Sequence, residues 1–412
     1  MVRESKVALL LKLGFRNMFR QRVRTAVTLG AIAVGVASLI LSGGFVQDVF
    51  VQFAEAIIHS QSGHIQVAKT GFFAKGSQSP ERFIIADAAS DTKSLASVPG
   101  VVDSMVRVNF SGLLSNRRTD LPVIGEGIEP LKESALGTYL FIREGRQLSE
   151  ADRYGILVGQ GVAHALKLRP GDQVTLLVSV AQGAMNTLDF QVVGVFQTFS
   201  QEYDSRAIKI SLGAAQELLA SNGVNVLVLA LRQTADTDKV VELLQAPTAS
   251  KGLETKTWRD LNQFYQGTVA FYDREFGVLR LIILVMVLLG VVNAINMNAF
   301  ERVGEFGTMR AVGNRARDVF ALIVTEGALT GLLGAALGVV AGILLAQGIS
   351  YGGIPMPPPP GSNLGYTAQI RLAPSVVASA FFIGLGGAIL ASLLPALRVT
   401  RIPLAEALRQ SI

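Results

Sequence analysis

Three histidines, His59, His64 and His164, are the residues best suited to metal or acid–base chemistry in a chain of 412 residues that has no cysteine. A structural zinc site needs four Cys or His ligands, and a catalytic one needs three plus an open position. His59 and His64 are close in sequence, but no carboxylate or third ligand stands at metal spacing. Each histidine therefore reads as a structural or surface residue, and no metal is expected. Two glycine pairs, Gly125-x-Gly127 and Gly159-x-Gly161, lack the third glycine of a dinucleotide fingerprint and read as turns. No G-x-x-x-x-G-K-[ST] run occurs, so the chain has no P-loop to cradle ATP phosphates and no cofactor is expected to bind it directly. If ATP drives the system, a partner subunit hydrolyses it with Mg²⁺. By itself the chain is not expected to be an enzyme.

The chemistry that remains is electrostatic and mechanical, and it is concentrated between Asn293 and Asp318. There a charged, glycine-punctuated segment lies between two long apolar runs. Val303, Phe306, Met309 and Arg310 fall at helical spacing. Arg302, Arg310, Arg315 and Arg317 give the positive charge of a cytoplasmic loop, and Gly313–Asn314 suits a helix C-cap. Such a helix, held between two spans, can dock on a cytosolic partner and pass force to the membrane. On charge alone an ordinary basic loop is the alternative.

The run E-R-x-x-E-x-G-x-x-R-A-x-G, here Glu301, Arg302, Glu305, Gly307, Arg310, Ala311 and Gly313, resembles the coupling segment of the FtsX/MacB/LolC-LolE type of ABC transporter permeases. In that lipoprotein-releasing, mechanotransmission family this helix seats in the ATPase. The resemblance implies ATPase-coupling roles for Glu301, Arg302, Glu305, Phe306, Gly307, Met309, Arg310 and Gly313. Phe306 where the family usually has Ile, and Asn314 where it often has Ala, are departures compatible with a packed, capped helix.

Composition fits a membrane protein with a large soluble part. Half the residues are hydrophobic and 17% are charged, with a mean hydropathy of +0.43. The net charge of +6 is concentrated at the ends of apolar runs, so no nucleic-acid partner is expected. Seven Lys or Arg and one acid, Glu4, precede the first span. Residues 1–25 read as a basic amphipathic interfacial helix, with Val7, Leu10, Leu11, Phe15, Met18 and Phe19 on one face. The segment from Gly14 to Thr25 also resembles the family's amino-terminal signature. Residues 26–59 read as the first transmembrane helix and its outward extension, charge-free from Ala26 to about Val46. Phe45, Val49, Phe53 and Ile57 recur at four-residue spacing as one stripe. They are the candidate substrate cleft for an acyl chain, the alternative being packing on the partner chain or on the chain's own outer domain.

Residues 60–270 read as an α+β extracytoplasmic domain in two lobes. Strands are expected at 64–67, 101–110, 174–180, 190–196 and 224–231, with helices near 91–97, 161–168, 213–220 and 237–244. Gly145-Arg146-Gln147-Leu148 and the run from Ile156 to Leu176 resemble the extracytoplasmic core domain of the same permeases. LolC-type proteins carry a longer protruding hairpin than the short 180–190 segment here. Residues 271–300 are the second span, with Trp258, Tyr265, Phe271 and Tyr272 available to its outer interface. The coupling helix occupies 301–318, and the third span 319–347 has Gly334, Gly338 and Gly342 on one face. An outer loop covers 348–374 and the fourth span 375–396. The tail 397–412 completes the run PALRVTRIPLAEALR, which resembles the family's ending. Glu326, the one acid at depth, reads as a packing or orienting residue, with transport chemistry the alternative.

The fold class expected is thus membrane α-helical, with four transmembrane helices and a large α+β extracytoplasmic domain between the first and second. Loop charges put both termini and the coupling helix in the cytoplasm of a bacterial inner-membrane protein. The resemblance implies a permease subunit working with a cytosolic ABC ATPase dimer and a second permease chain, a copy or a paralogue, in contact with membrane lipid. Lipoprotein extraction from the inner membrane, with a lipoprotein or periplasmic partner, is the leading function. The alternatives are a MacB-like tripartite efflux permease and an FtsX-like regulator of a cell-wall hydrolase.

Overall fold

The computed structural model describes residues 12–17, 22–76, 79–85, 87–180, 184–358, 362 and 364–409. It divides into a membrane unit, Met1–Phe50 with Ala270–Pro355 and Thr367–Ile412, and a domain, Val51–Val269 with Met356–Tyr366.

In the membrane unit four helices are long and apolar enough to cross a bilayer, within Arg22–Ser62, Tyr265–Glu301, Ala316–Gly352 and Pro374–Arg401. The amphipathic helix expected over 1–25 lies mostly outside the described residues, although 12–17 are helical. The first spanning helix, Arg22–Ile57, has 36 residues. At about 1.5 Å per residue it is nearly twice as long as a hydrocarbon core of about 30 Å is thick. Its charge-free stretch is the immersed part, and its head belongs to the domain. Glycines let the spans approach closely: a Cβ built on Gly334, Gly338 or Gly342 would come within 2.9, 2.7 and 3.0 Å of Ile32, Val36 and Ile40. Gly327 and Gly331 face Ser392 and Ala388 of the fourth span in the same way. Leu281, Val285, Met286 and Leu289 of the second span are exposed, as lipid-facing residues are.

The domain is built on ten strands: β1 Ile65–Lys69, β2 Val101–Ser115, β3 Asp120–Ile128, β4 Phe141–Gly145, β5 Gly155–Gly159, β6 Gln173–Ser179, β7 Met185–Gln197, β8 Ala207–Ser211, β9 Val226–Leu231 and β10 Leu253–Thr257. The long β2 serves two sheets. Its first half pairs with β9, which continues through β1 to β10. Its second half pairs with β3 on one side and β6 on the other, and the run β3, β8, β5, β7, β6 returns to β2 as a closed ring with β4 attached to β7. Closure removes edges that would otherwise need covering. The helices α1 Ala88–Ala96, α2 Pro130–Leu136, α3 Gln160–Leu166, α4 Leu212–Leu218 and α5 Thr237–Ala249 pack outside this frame. The core gathers Val108, Phe110, Val158, Phe190, Ile208 and Leu229.

Between β2, β3, β8 and α2 the domain buries four charges. Arg107 Nη2 donates to both oxygens of Glu133 at 2.9 and 2.8 Å. Lys209 Nζ donates to Glu126 at 2.6 Å and to Glu133 at 2.7 Å, and Tyr203 donates to Glu126 at 2.9 Å. The Arg107 guanidinium also donates to the carbonyl oxygen of Gln61. Two cations and two anions cancel, so the desolvation of each is offset by a partner.

Several expectations need correction. Gly125 and Gly127 are not a turn: both lie within β3, where a Cβ on Gly125 would strike the Phe110 ring at 2.1 Å. Gly159 does open a helix, against the backbone of Asp204. Trp258 is not an interfacial anchor. A helical turn capped by Thr257 and Asp260 buries it against Ala54, Ile58 and Tyr265, while Phe271 stays exposed. The third spanning helix continues to Gly352, and 356–366 of the expected outer loop folds with the domain, where Leu364 joins Phe53 and Phe199. Strands β3, β4, β5, β8 and β10 were not expected from the sequence.

Candidate functional site: the coupling segment

The second spanning helix runs from Gln263 to Glu301, breaks at Arg302, and resumes as the short helix Val303–Ala311. The break is one residue long. At its far end Gly313 takes φ +107°, the left-handed conformation anticipated for the cap, and the N–H groups of Gly313 and Asn314 bond to Arg310 and Met309 carbonyls. Arg315 N–H then donates to Asp318 at 3.0 Å and starts the third spanning helix.

The charges of this segment bind it to its own membrane unit. Glu301 pairs with Arg24 at the start of the first spanning helix. Arg302 Nη1 donates to Glu326 at 2.7 Å on the third, and Arg302 Nε to Glu305 at 3.1 Å. The other Glu326 oxygen accepts from Asn17 Nδ2 at 2.6 Å. Arg302 also lies over the Phe306 ring, 5.0 Å from its centroid. Arg310 Nη1 donates to the Ile402 carbonyl at 2.9 Å, beyond the fourth. Glu326 thus ties three elements together, as an orienting residue would.

The apolar face is equally committed. Phe306 is 2% exposed and packs with Val303, Val319, Leu322, Ala396 and Ala407. Gly307 is buried against the tail helix Leu404–Arg409, with a built Cβ 2.9 Å from Ala407 Cβ. Met309 packs at the edge of the same cluster. Of the eight residues assigned to ATPase coupling, Arg302, Phe306, Gly307, Met309 and Arg310 face inward to the chain itself. Glu301 and Glu305 are partly open, and Gly313 is exposed. The exposed surface comprises Thr308, Ala311, Val312, Asn314, Arg315 and Arg317, with Val312 82% exposed. Sequence reasoning passed over Val312, whose only signal was an apolar residue at a helix end.

The four residues assigned to a substrate cleft divide. Phe53 is 8% and Ile57 1% exposed, packed with Phe199, Tyr139, Tyr265 and Leu364 inside the domain. Phe53 lies 4.8 Å from the Phe199 ring and 5.3 Å from the Tyr265 ring. The stripe is therefore not one open surface, because its upper half forms domain core. Phe45 and Val49 remain half-buried, Phe45 edge-on to Phe276 at 6.5 Å.

A family model described as the MacB-like periplasmic core domain matches residues 25–246, and one described as the FtsX-like permease C-terminal matches residues 277–404. The chain is 24% identical over 346 residues to the lipoprotein-releasing system transmembrane protein LolC of Neisseria meningitidis, covering 81% of this chain and 79% of that one. It is 24% identical over 427 residues to the macrolide export ATP-binding/permease protein MacB of Bdellovibrio bacteriovorus, covering 96% of this chain and 61% of that one. With an uncharacterized ABC transporter permease of Methanocaldococcus jannaschii it shares 25% identity over 214 residues, 50% of this chain and 51% of that one. The chain thus spans about half the length of the archaeal relative and about three fifths of MacB. Four membrane-crossing helices, an α+β domain between the first two, and family models that match the domain and the spans give one conclusion: the chain belongs to the MacB/LolC/FtsX family of ABC transporter permeases.

Proposed function

We propose that this chain is the permease subunit through which a separate cytosolic ATPase does conformational work in the periplasm, the work being extraction or release of a lipoprotein from the inner membrane. The observation that carries the reading is the coupling segment, tied by Glu301, Arg302 and Arg310 to the chain around it and open chiefly along the Thr308–Arg317 surface. A helix clamped in this way cannot move alone, so a push on its free end moves the spans. In this reading that surface and both termini face the cytoplasm, and ATP and Mg²⁺ stay in the ATPase. Two ATPase subunits call for two permease chains, a pair of copies or this chain with a paralogue. The LolC relative supports a lipoprotein as cargo. Phe45 and Val49 support an acyl chain near the end of the immersed stretch, where burial is favourable by about 0.8 kcal/mol per methylene.

The test uses the tagged full chain in proteoliposomes with the ATPase that copurifies with it, and photo-crosslinkers at Phe45 and Val49. A lipidated protein is captured without nucleotide and released by ATP with Mg²⁺. Val312→Asp inserts normally but loses the ATPase and the release. Crosslinks confined to permease chains, with the ATPase still held by Val312→Asp, overturn the proposal.

A further inference from the structure

The head of the first spanning helix carries a titratable cluster that coupling does not use, all of it inside the domain. Glu55 and His59 stand one helical turn apart, with His59 Nε2 3.2 Å from Glu55 Oε2. His59 Nδ1 lies 3.1 Å from the carbonyl oxygen of Leu136, at the end of α2. A carboxylate and a carbonyl only accept. An imidazole satisfies both only with a proton on each nitrogen, so the geometry fits an imidazolium at His59. His64 is held in the opposite state. Its Nδ1 accepts the Leu231 N–H at 3.2 Å, at the end of β9, and so carries no proton. Its Nε2–H donates to Thr234 Oγ1 at 3.2 Å, and the Thr234 hydroxyl donates to Glu55 Oε1 at 2.6 Å. One carboxylate therefore holds a charged histidine directly and a neutral one through a hydroxyl, the two rings edge to face with centroids 5.7 Å apart.

Among the described residues the surroundings leave those two states no competing charge. Tyr139 stacks on His59 at 6.4 Å, and the backbone N–H of Trp258 bonds to the His64 carbonyl at 3.0 Å. Glu133 on α2 and Arg107 on β2 are paired with each other, Arg232 is exposed, and Asp236 is paired with Lys239. His64 is 3% exposed. We propose that Glu55, His59, His64 and Thr234 form a proton-operated latch that joins the helix head to β1, β9 and α2, closed at neutral pH and opened by acid.

Acid acts at two of its members. Protonation of His64 puts a hydrogen on Nδ1, where it meets the Leu231 N–H and a second cation, His59. Protonation of Glu55 removes the common acceptor. Burial, then the charge of His59, brings His64 from an ordinary 6.5 to about 4, so its cost to the closed state grows as pH falls from 6.5 towards 4. The bond from His59 lowers Glu55, whose contribution is present above its ordinary 4.5 and disappears as pH falls through the lowered value. The bond to Glu55 raises His59, whose contribution is present below 6.5 and is lost only as pH rises through the raised value. The latch therefore weakens in acid and holds at neutrality. It goes beyond the coupling reading and does not depend on it.

The chain has three histidines, so ¹⁵N-histidine magic-angle-spinning NMR of the full chain in lipid bilayers separates them, with His59→Gln and His164→Gln for assignment. At pH 7, His59 shows two protonated ring nitrogens and His64 one, on Nε2. Glu55→Gln, an isosteric change, returns His59 to a neutral ring. Between pH 7 and pH 4, His64 gains its second proton, and hydrogen exchange at Leu231, corrected for its intrinsic rate, rises about tenfold as one hydrogen bond is lost. A neutral His59 at pH 7, a His64 proton on Nδ1, or Leu231 exchange that does not change with pH overturns the latch. The parental spectra alone decide if a variant fails to fold.

Discussion

Lys209 is fully buried, and among the described residues its ammonium is the sole cation that touches both Glu126 and Glu133 at hydrogen-bond distance. Removing one partner of a buried pair costs about 3–5 kcal/mol, because it strands the opposite charge. Lys209→Met should therefore destabilise the domain by about that amount, with Lys209→Met/Glu126→Gln recovering part of it. Melting followed through Trp258, the sole tryptophan and a buried one, measures both. The same cluster should resist acid. Burial pushes Glu133 up, but the charges of Arg107 and Lys209 outweigh it and bring the carboxyl to about 2. A depressed carboxyl contributes stability above its ordinary value and loses it only as pH falls towards the depressed one. Between pH 7 and about 4.5 the parental domain thus loses stability through His64, and the losses from Glu55 and Glu133 both begin only below their ordinary 4.5. The pairing of Glu55 with His59 could have been found in the sequence, since four residues on a helix bring side chains together. His64 and Thr234 could not, because the partners are 170 positions apart.

At the scale of elements, the spans are assembled by small residues. Gly338 has a built Cβ 2.7 Å from Val36 and 2.8 Å from the Ala33 carbonyl oxygen, a contact with backbone that no rotamer change relieves. Gly338→Leu should separate the first and third spans. Overpacking of this kind costs about 1–3 kcal/mol. Disulfide trapping between cysteines placed at Ala37 and Gly342, whose built Cβ lies 3.2 Å from Ala37 Cα, in a chain with no cysteine of its own, should fall at least severalfold. Gly348, with open space around its built Cβ, is the control: Gly348→Leu should leave trapping unchanged. At the head of the immersed stretch, Asp48 accepts from the Gln369 N–H at 2.9 Å and faces Arg371 at 3.5 Å. The segment before the fourth span is thereby fastened to the first.

For the whole molecule, the decisive matter is which side of the membrane each part occupies. Arginines cluster at one end of the spans, in Arg315, Arg317, Arg398 and Arg401, while the domain is inserted at the other end of the first helix. On the charge rule the coupling segment is expected inside and the domain outside. Cysteines placed at Asn314 and at Glu150 should react from opposite faces of intact cells with a membrane-impermeant maleimide, Glu150 alone being labelled before lysis. Labelling of both from the same face would remove the basis for force transmission across the bilayer.

Hydropathy and charge made four spans, an inserted domain and a short helix between the second and third spans legible, because membrane immersion demands long uncharged runs and marks their ends. Gly313 as a cap and the glycine face at 334, 338 and 342 were equally local, each following from what a residue without Cβ permits. The strands of the closed ring were not legible. β3 carries Gly125 and Gly127 where Phe110 requires space, β4 is an exposed and largely polar edge, and β10 reads LETKT. Nor could spacing tell which way the coupling residues point. Arg302, Phe306 and Arg310 have the chemistry of a docking face, and their inward orientation depends on Glu326, Val399 and Ile402, brought near by the return of the third and fourth spans. Periodicity gives one element's two faces, and tertiary packing alone assigns one to the protein and leaves the other for a partner, since burial is a property of what comes alongside.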